Sequence, residues 1–543
     1  LLASLNDQGT LHAGGLRTQT AHHSTLSDAI RWSYDLLSEE EKRLFARLSV
    51  FAGGFTFASA EETFASTFQN NSVTELIISL ADKSLVLPVG DIQGTPRFNM
   101  LITIQQFALQ RLHESGEEAA ARDQHQVYFL NLAMQSEREI HGPGQVEWMD
   151  RVELEINNFR LAFEWSLAEK NMSAAITLIA ALGWTVWMQG HGSEVQSWFD
   201  KIRLIPGIDD YPVEYARMLN QLGFQNWMKG DFREARTVLE ESRVIGMKAG
   251  SDIAPGLAQT FLYQGLVRWI EGDFSAAEAL FMQSQEIYQK LGDQWGMAYA
   301  MLQRGNVATS RNENDRALPI LEESYLIFRR LGDFFGISRS SQRLGELFLR
   351  QGDFEKASQF FEQQLKNDEK LHFNQGISLA LHNLGELSRY QGDVEKAEQY
   401  FKKSLAISSE FGDEWSSSNT RINLGLTALY QNDYPRAKRW FSEGFYKEWL
   451  VEREFLIYDM ISGLAAVAAG MKQPERAAKL SGAAQSILAR TDYRPSSLDE
   501  SWIERHIQIA RQQIGEEAFN RYRAQGRQMT LEQAVAYAFE NEG

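Results

Sequence analysis

The chain has 543 residues, 43% hydrophobic and 11% aromatic, enough apolar surface for a large core and too much for a disordered chain. A net charge of −18 with a pI near 5.2 argues against a surface built to neutralise phosphates. The absence of cysteine excludes disulfides, thiolate metal sites and cysteine nucleophiles, and is compatible with a reducing cytoplasm, the expected location.

In chain order, residues 22–65 read as helices, with Ser38 before Glu39, Glu40 and Glu41 marking a fresh helix start. Residues 73–112, "VTELIISLADKSLVLPVGDIQGTPRFNMLITIQQFALQRL", read as a helix, two short extended runs about a Gly-containing turn, and another helix. Helices followed by a small hairpin suggest a winged helix over 27–112. A helical connector is expected over 113–182. Its most apolar stretch, "AAITLIAALGWTVWM" at 174–188, is shorter than the roughly 20 residues of a membrane span, so no membrane association is expected.

From Gly183 to residue 481 one corner recurs at forty-residue intervals, with one interval of forty-two. It stands at Gly230-Asp231-Phe232, Gly272-Asp273-Phe274, Gly352-Asp353-Phe354, Gly392-Asp393-Val394 and Asn432-Asp433-Tyr434, with a degenerate copy at Asn312-Glu313-Asn314. An alanine follows each (Ala235, Ala277, Ala317, Ala357, Ala397, Ala437), and a glycine precedes each by seven residues (Gly223, Gly265, Gly305, Gly345, Gly385, Gly425). The corner glycine suits the left-handed end of one helix and the Asp caps the next. A second corner, Gly292-Asp293, Gly332-Asp333 and Gly412-Asp413, joins one pair to the next. Each pair leaves an apolar face that only a stacked neighbour covers, so the pairs are expected to coil into an all-α superhelix with a concave wall. Residues 482–543 break the period and read as capping helices.

"NLGELSRYQGDVEKAEQYFKKSL" at 383–405 resembles the tetratricopeptide repeat in its forty-residue form. That resemblance implies an all-α, right-handed solenoid over 183–481 that binds a protein or peptide partner, or a small effector, rather than one that catalyses. "AIRWSYDLLSEEEKRLFARLSVFAGGFT", "LADKSLV" and "RFNMLITIQQFALQRL" resemble the winged-helix segment of bacterial STAND-class regulators, the NB-ARC-type signalling ATPases. In that family a nucleotide-binding domain precedes the winged helix and a helical-repeat sensor follows it. Residues 1–26 resemble the end of that ATPase module, and the chain opens on Leu1, so the chain is expected to begin partway through a larger protein. No Gly-Lys pair exists to form a phosphate-binding loop, so no cofactor is expected in this chain; ATP or ADP is implied only for the upstream domain. Where related NB-ARC proteins carry Met-His-Asp, this chain has Met100, Leu101 and Ile102. Residues 1–125 hold nine Lys or Arg against fifteen Asp or Glu, and the presumptive recognition helix offers only Lys83, which argues against DNA binding by this segment.

Four residues after successive repeat glycines stand Trp187, Trp227 and Trp269, with Trp184 on the first of these helices. These rings either fill space between first helices or form an aromatic ladder for a ligand on the concave face. Arg339, Arg343 and Arg350 share one first helix and Arg389 lies on the next, where they either clamp a carboxylate or phosphate or pair with Glu346 and Glu386. Asn383 and Asn423 suit an extended peptide or helix–helix contacts equally. No H-E-x-x-H or G-x-S-x-G pattern occurs, and the adjacent His22 and His23 suggest only an exposed segment, so no enzyme is expected. The sequence therefore points to a non-catalytic sensor controlling an upstream ATPase in cis, with a free-standing adaptor as the alternative. Either reading requires an open hollow side.

Overall fold

The computed structural model describes residues 28–539 apart from 69–71, 93, 206, 249–254, 446–453, 491–494 and 496. The upstream-module reading of residues 1–26 lies outside these. The chain divides into two compact units. Unit 1 comprises residues up to Arg138, Asp150–Gly183 and Asp200–Glu214; unit 2 comprises Glu139–Met149, Trp184–Phe199 and everything from Tyr215 onward. The array as read from the sequence is thus shared: residues 200–214 group with unit 1 and 139–149 with unit 2.

Unit 1 begins with α1 (28–35), α2 (Glu39–Leu48), β1 (Phe55–Thr56), α3 (Phe57–Phe64), α4 (Val73–Asp82), β2 (Leu87–Ile92), β3 (Thr95–Asn99) and α5 (Ile102–Glu114). Ser38 and Glu41 form a reciprocal capping box at the start of α2, as the sequence indicates. The hairpin β2–β3 is joined by β1 into an antiparallel sheet of order β1-β3-β2. At two residues, β1 is too short to leave a period in the sequence. The sheet is tied to α7 (Gln145–Ala168) by Arg97, which is 4% exposed. Its guanidinium reaches Glu155 at 2.6 Å and the carbonyls of Gly53 and Gly54 at 3.1 and 3.2 Å. Gly54, at φ +93°, lets the backbone close around it: a β-carbon there would meet Phe98 O at 2.4 Å. Asn158 holds the same turn through Ala52 N at 2.7 Å.

Between the units' segments the chain runs through α6 (Glu118–Glu139), α7, α8 (Met172–Met188) and α9 (Gly192–Arg203). Paired helices follow: α10 (Pro212–Lys229) with α11 (Phe232–Lys248), α12 (Pro255–Ile270) with α13 (Phe274–Leu291), and α14 (Gln294–Ser310) with α15 (Asn314–Leu331). Next come α16 (Phe334–Gln351) with α17 (Phe354–Lys370), α18 (Asn374–Tyr390) with α19 (Val394–Glu410), and α20 (Glu414–Tyr430) with α21 (Tyr434–Glu443). The chain ends with α22 (Glu454–Gly470), α23 (Pro474–Leu488), α24 (Ser497–Ile514), α25 (Glu516–Arg527) and α26 (Leu531–Phe539).

The corners behave as their residues require. Gly352 sits at φ +79°, and Asn312 and Asn432 take the same left-handed conformation at φ +59°. Asp273, Asp293, Asp333, Asp353, Asp393, Asp413 and Asp433 each accept a backbone N–H in the following helix. The six corner alanines are fully buried. The glycine seven residues before the corner is a point of helix contact: a β-carbon at Gly345 would meet the Phe361 ring at 2.5 Å.

A second lock recurs at the repeat period. Ser242, Ser284, Ser324 and Ser404 each donate to a carbonyl 26 residues back, in Ala216, Ala258, Ala298 and Ser378, at 2.8–2.9 Å. The matching position in the pair α16–α17 is Gln364. There Ser338 instead donates to Asp368 at 2.6 Å.

Candidate functional site: the inner wall of the repeat array

The first helices α10, α12, α14, α16, α18 and α20 present one face each to the inner side of unit 2. In an array whose consecutive pairs touch only neighbours, contacts between elements more than 150 residues apart can be made only across this hollow side. Several are. Trp184 meets Phe335 edge-on at 5.3 Å, Trp187 meets Phe373 at 6.2 Å, and a β-carbon at Gly190 would lie 3.9 Å from the Phe411 ring. The loop between α6 and α7 enters the same space. His141 stacks on Trp295 at 3.7 Å. Gln145, fully buried, donates to Asp333 Oδ2 at 3.1 Å while its Oε1 accepts the Phe335 N–H at 3.0 Å.

The expectation of an open hollow side is therefore corrected over part of its length: the protein's own residues 140–149 and the end of α8 occupy the side nearest the starts of α14, α16 and α18, and Asp499 near the chain's end covers Arg389 of α18. The physical reason is hydrogen bonding: the Gln145 carboxamide donates to the second carboxylate oxygen of Asp333 and takes the Phe335 N–H at the start of α16.

The predicted aromatic residues divide. Phe224 bridges Trp187 and Trp227, at 5.6 and 6.1 Å, and packs on Tyr263 at 5.1 Å. All four tryptophans are half-buried against one continuous core. Trp184 and Trp187 face the chain's own Phe335 and Phe373, whereas Trp269 donates to Ser310 at 3.0 Å and carries the Arg343 guanidinium 5.6 Å above its ring.

The structure does not gather the arginines into one clamp. Arg339 lies between Phe335 and Phe373 and pairs with the fully buried Asp368 at 2.8 Å. Burial pushes the Asp368 carboxyl up, against the opposing pull of Arg339. Arg343 pairs with Glu346 at 2.9 Å. Burial would raise the Glu346 carboxyl, but Arg343, Gln342 and Arg350 together hold it below the ordinary carboxylate range. Arg350 is exposed. Arg389 is 1% exposed: Asp499 of α24 takes both its terminal nitrogens, Asn423 accepts at 3.2 Å, and Tyr390 and Tyr430 enclose it. Burial favours the neutral form of Arg389, yet Asp499 and the two tyrosines keep it firmly protonated. Asn383 donates to Gln364 at 3.3 Å.

Between these pairs lie His382 and Glu386. Burial lowers the His382 imidazole to about 4, assisted by Arg389. Burial also raises the Glu386 carboxyl to about 7, with Asp499 and Glu346 adding to the rise and Arg389 and Arg350 opposing it. The inner wall thus carries amide, cationic, anionic and aromatic groups on α12, α16 and α18, from Trp269 through Arg343 and Glu346 to Glu386. Sequence reasoning missed Gln145 and Asp499, because each acts through a partner more than 100 residues away. The recurrent serines were legible in principle, since they repeat at the same interval as the corners.

Two stretches, 296–370 and 376–445, match the tetratricopeptide repeat model. The array is a tetratricopeptide-repeat α-solenoid. A candidate HTH-type transcriptional regulator of Mycobacterium tuberculosis is 36% identical over 200 residues, 36% of this chain and 22% of that protein. An uncharacterized protein of the same species is 36% identical over 122 residues, 22% of this chain and 31% of that protein. The chain therefore spans less than a third of the length of the curated relatives it matches. Among solved structures it is similar to a signal transduction ATPase with numerous domains carrying a tetratricopeptide repeat sensor from Pyrococcus horikoshii, at 14% identity and TM-score 0.49, over 88% of this chain and 66% of that one. Among the described residues no helix is long and apolar enough to cross a membrane, and no group of three or more His, Asp or Glu side chains is placed to hold a metal ion.

Proposed function

We propose that this chain is a non-catalytic recognition region of a STAND-type, NB-ARC-like regulator in the cytoplasm, binding a protein or peptide partner on the inner wall of its tetratricopeptide array. The observation that carries the reading is the strip Trp269–Arg343–Glu346–Glu386, partly open to solvent, whose mixed charges, amides and rings suit a peptide backbone and its side chains better than a single small ion. In unit 1 the order helix, short strand, two helices and hairpin, closed by a three-stranded sheet, supports a winged-helix reading. Lys83, which ends α4, is paired with Glu41, which favours a structural over a DNA-reading role for that helix. The likeness to a candidate HTH-type regulator supports a place within a transcriptional or signalling protein, where partner binding would bias an ATPase domain in cis. An ATP or ADP site belongs, on this reading, to that domain.

The test is affinity capture with the whole chain as bait, comparing wild type with Trp269→Ala, Trp227→Ala plus Trp269→Ala, and Arg343→Glu. The reading expects partners that the wild type retains and the inner-wall variants lose. Identical recoveries from all four baits would remove the inner wall as the recognition surface.

A further inference from the structure

Residues 140–149 form the part of unit 2 whose placement is hardest to explain as filling. The five-residue connection 140–144 would suffice to join α6 to α7 without leaving the surface, since helix–helix connections of this length are ordinary. Instead it runs inward. Ile140 and Met149 enter the array's core, at 2% and 4% exposure, and Gln145 is wholly enclosed. Between them Pro143 is exposed at the rim, where it touches Gly332: a β-carbon on Gly332 would be 3.2 Å from the Pro143 Cβ.

The seat is built for a carboxamide. Asp333 Oδ2 accepts one N–H of Gln145, and the Phe335 N–H, at the free start of α16, is taken by the Gln145 oxygen. Asp333 Oδ1 is already engaged as the cap of α16 through Gly336. A donor and an acceptor at fixed spacing are what a peptide group also provides, and the His141 imidazole, 3.7 Å from Asp333 Oδ2, completes the polar lining. Beside it Trp295 and Trp184 present ring surface, now covered by His141 at 3.7 and 5.3 Å. Beyond it the same inner wall continues into the strip at Trp269 and Arg343.

Resting on the inner-wall reading above, we propose that residues 140–149 are a resident occupant of the recognition wall, and that an extended partner peptide presenting a glutamine-type carboxamide docks by taking the seat of Gln145. The displaced segment is continuous with α6 on one side and α7 on the other, both of which run directly into unit 1. The resident segment competes in cis, so weakening its seat raises trans affinity by up to the factor by which the cis contact is weakened.

The chain contains no cysteine, so one engineered pair gives an unambiguous switch. In Pro143→Cys plus Gly332→Cys the β-carbons start at 3.2 Å, a few tenths of an ångström short of the roughly 3.5–4.5 Å of a disulfide, and the cost of a side chain at the left-handed Gly332, φ +71°, is shared by the oxidised and reduced forms. The probe is a fluorescent peptide with the chain's own sequence EIHGPGQVEWM, residues 139–149. Full-length Gln145→Ala is expected to bind it at least tenfold more tightly than wild type, and a peptide with alanine for its glutamine is expected to lose that gain. The reduced cysteine pair is expected to bind more tightly than the oxidised one, which serves as a folding-matched control should Gln145→Ala lose helix content. Equal binding by oxidised and reduced forms overturns the proposal. If partner capture still depends on Trp269 and Arg343 but ignores the disulfide, the resident-occupant idea falls while the inner-wall reading stands.

Discussion

Asp499 receives both terminal nitrogens of Arg389 and the hydroxyls of Tyr390 and Tyr430, at 2.9 and 3.3 Å for the latter two, and so fastens α24 to the inner face of α18 and α20. Because Arg389 is almost wholly buried, removing its partner leaves an uncompensated charge. Asp499→Ala is expected to destabilise the array's C-terminal part by about 3 kcal/mol, read by urea denaturation, with earlier exchange of the α24 amides. Glu386 gives a pH signature. Its carboxyl titrates near 7 in the folded chain against an ordinary value of 4.5, so the folded state binds the extra proton and this group's contribution falls as pH rises from about 4.5 to about 7. His382 works the other way: lowered to about 4, it makes stability rise with pH between about 4 and 6.5. In Glu386→Gln, of these two slopes, only the histidine one remains. The stability advantage of that variant over wild type is expected to grow between pH 4.5 and 7 and then level off, on the order of 1–2 kcal/mol, as measured by denaturation at a series of pH values. A flat difference would show that Glu386 is better solvated than its position inside the coil implies.

At the scale of the helix pair, two kinds of glycine carry different loads. Gly352 is needed for its left-handed φ of +79° and faces open space, so Gly352→Ala is expected to cost about 1 kcal/mol. Gly345 is needed for its missing side chain, since a β-carbon would lie 2.5 Å from the Phe361 ring, which is itself fully buried. Gly345→Ala is expected to cost roughly 2–3 kcal/mol, more than Gly352→Ala, by overpacking a contact that cannot relax without moving α17. Ser324→Ala tests the serine lock. Losing one neutral hydrogen bond to a helix carbonyl is expected to cost about 1 kcal/mol by thermal denaturation. The corners, alanines and close-packed glycines were all legible in the sequence, because each is decided by neighbours within forty residues and each recurs.

At the scale of unit 2, the cross-hollow contacts break the nearest-neighbour rule that governs repeat arrays. Trp184, Trp187 and Gln145 tie the entry of the array to α16 and α18, so these distant elements are expected to lose amide protection together. Hydrogen exchange on Gln145→Ala is expected to show faster exchange at the start of α16 and in 140–149, with α22 and α23 unchanged. Uniform acceleration across the array would mean that the segment acts only as general packing.

The amino-acid sequence by itself determined the helix pair, its forty-residue stacking and the residue types along the inner wall, since short-range caps, small residues and apolar stripes specify these locally. Arg343 with Glu346 is the i,i+3 pair the sequence already offered; only the tertiary structure decided that Arg389 turns to Asp499 and that the chain's own Gln145 takes a seat on the wall. Those outcomes depend on how far each stacked pair rotates relative to the last, and small rotations summed over several repeats bring together residues that no local pattern links.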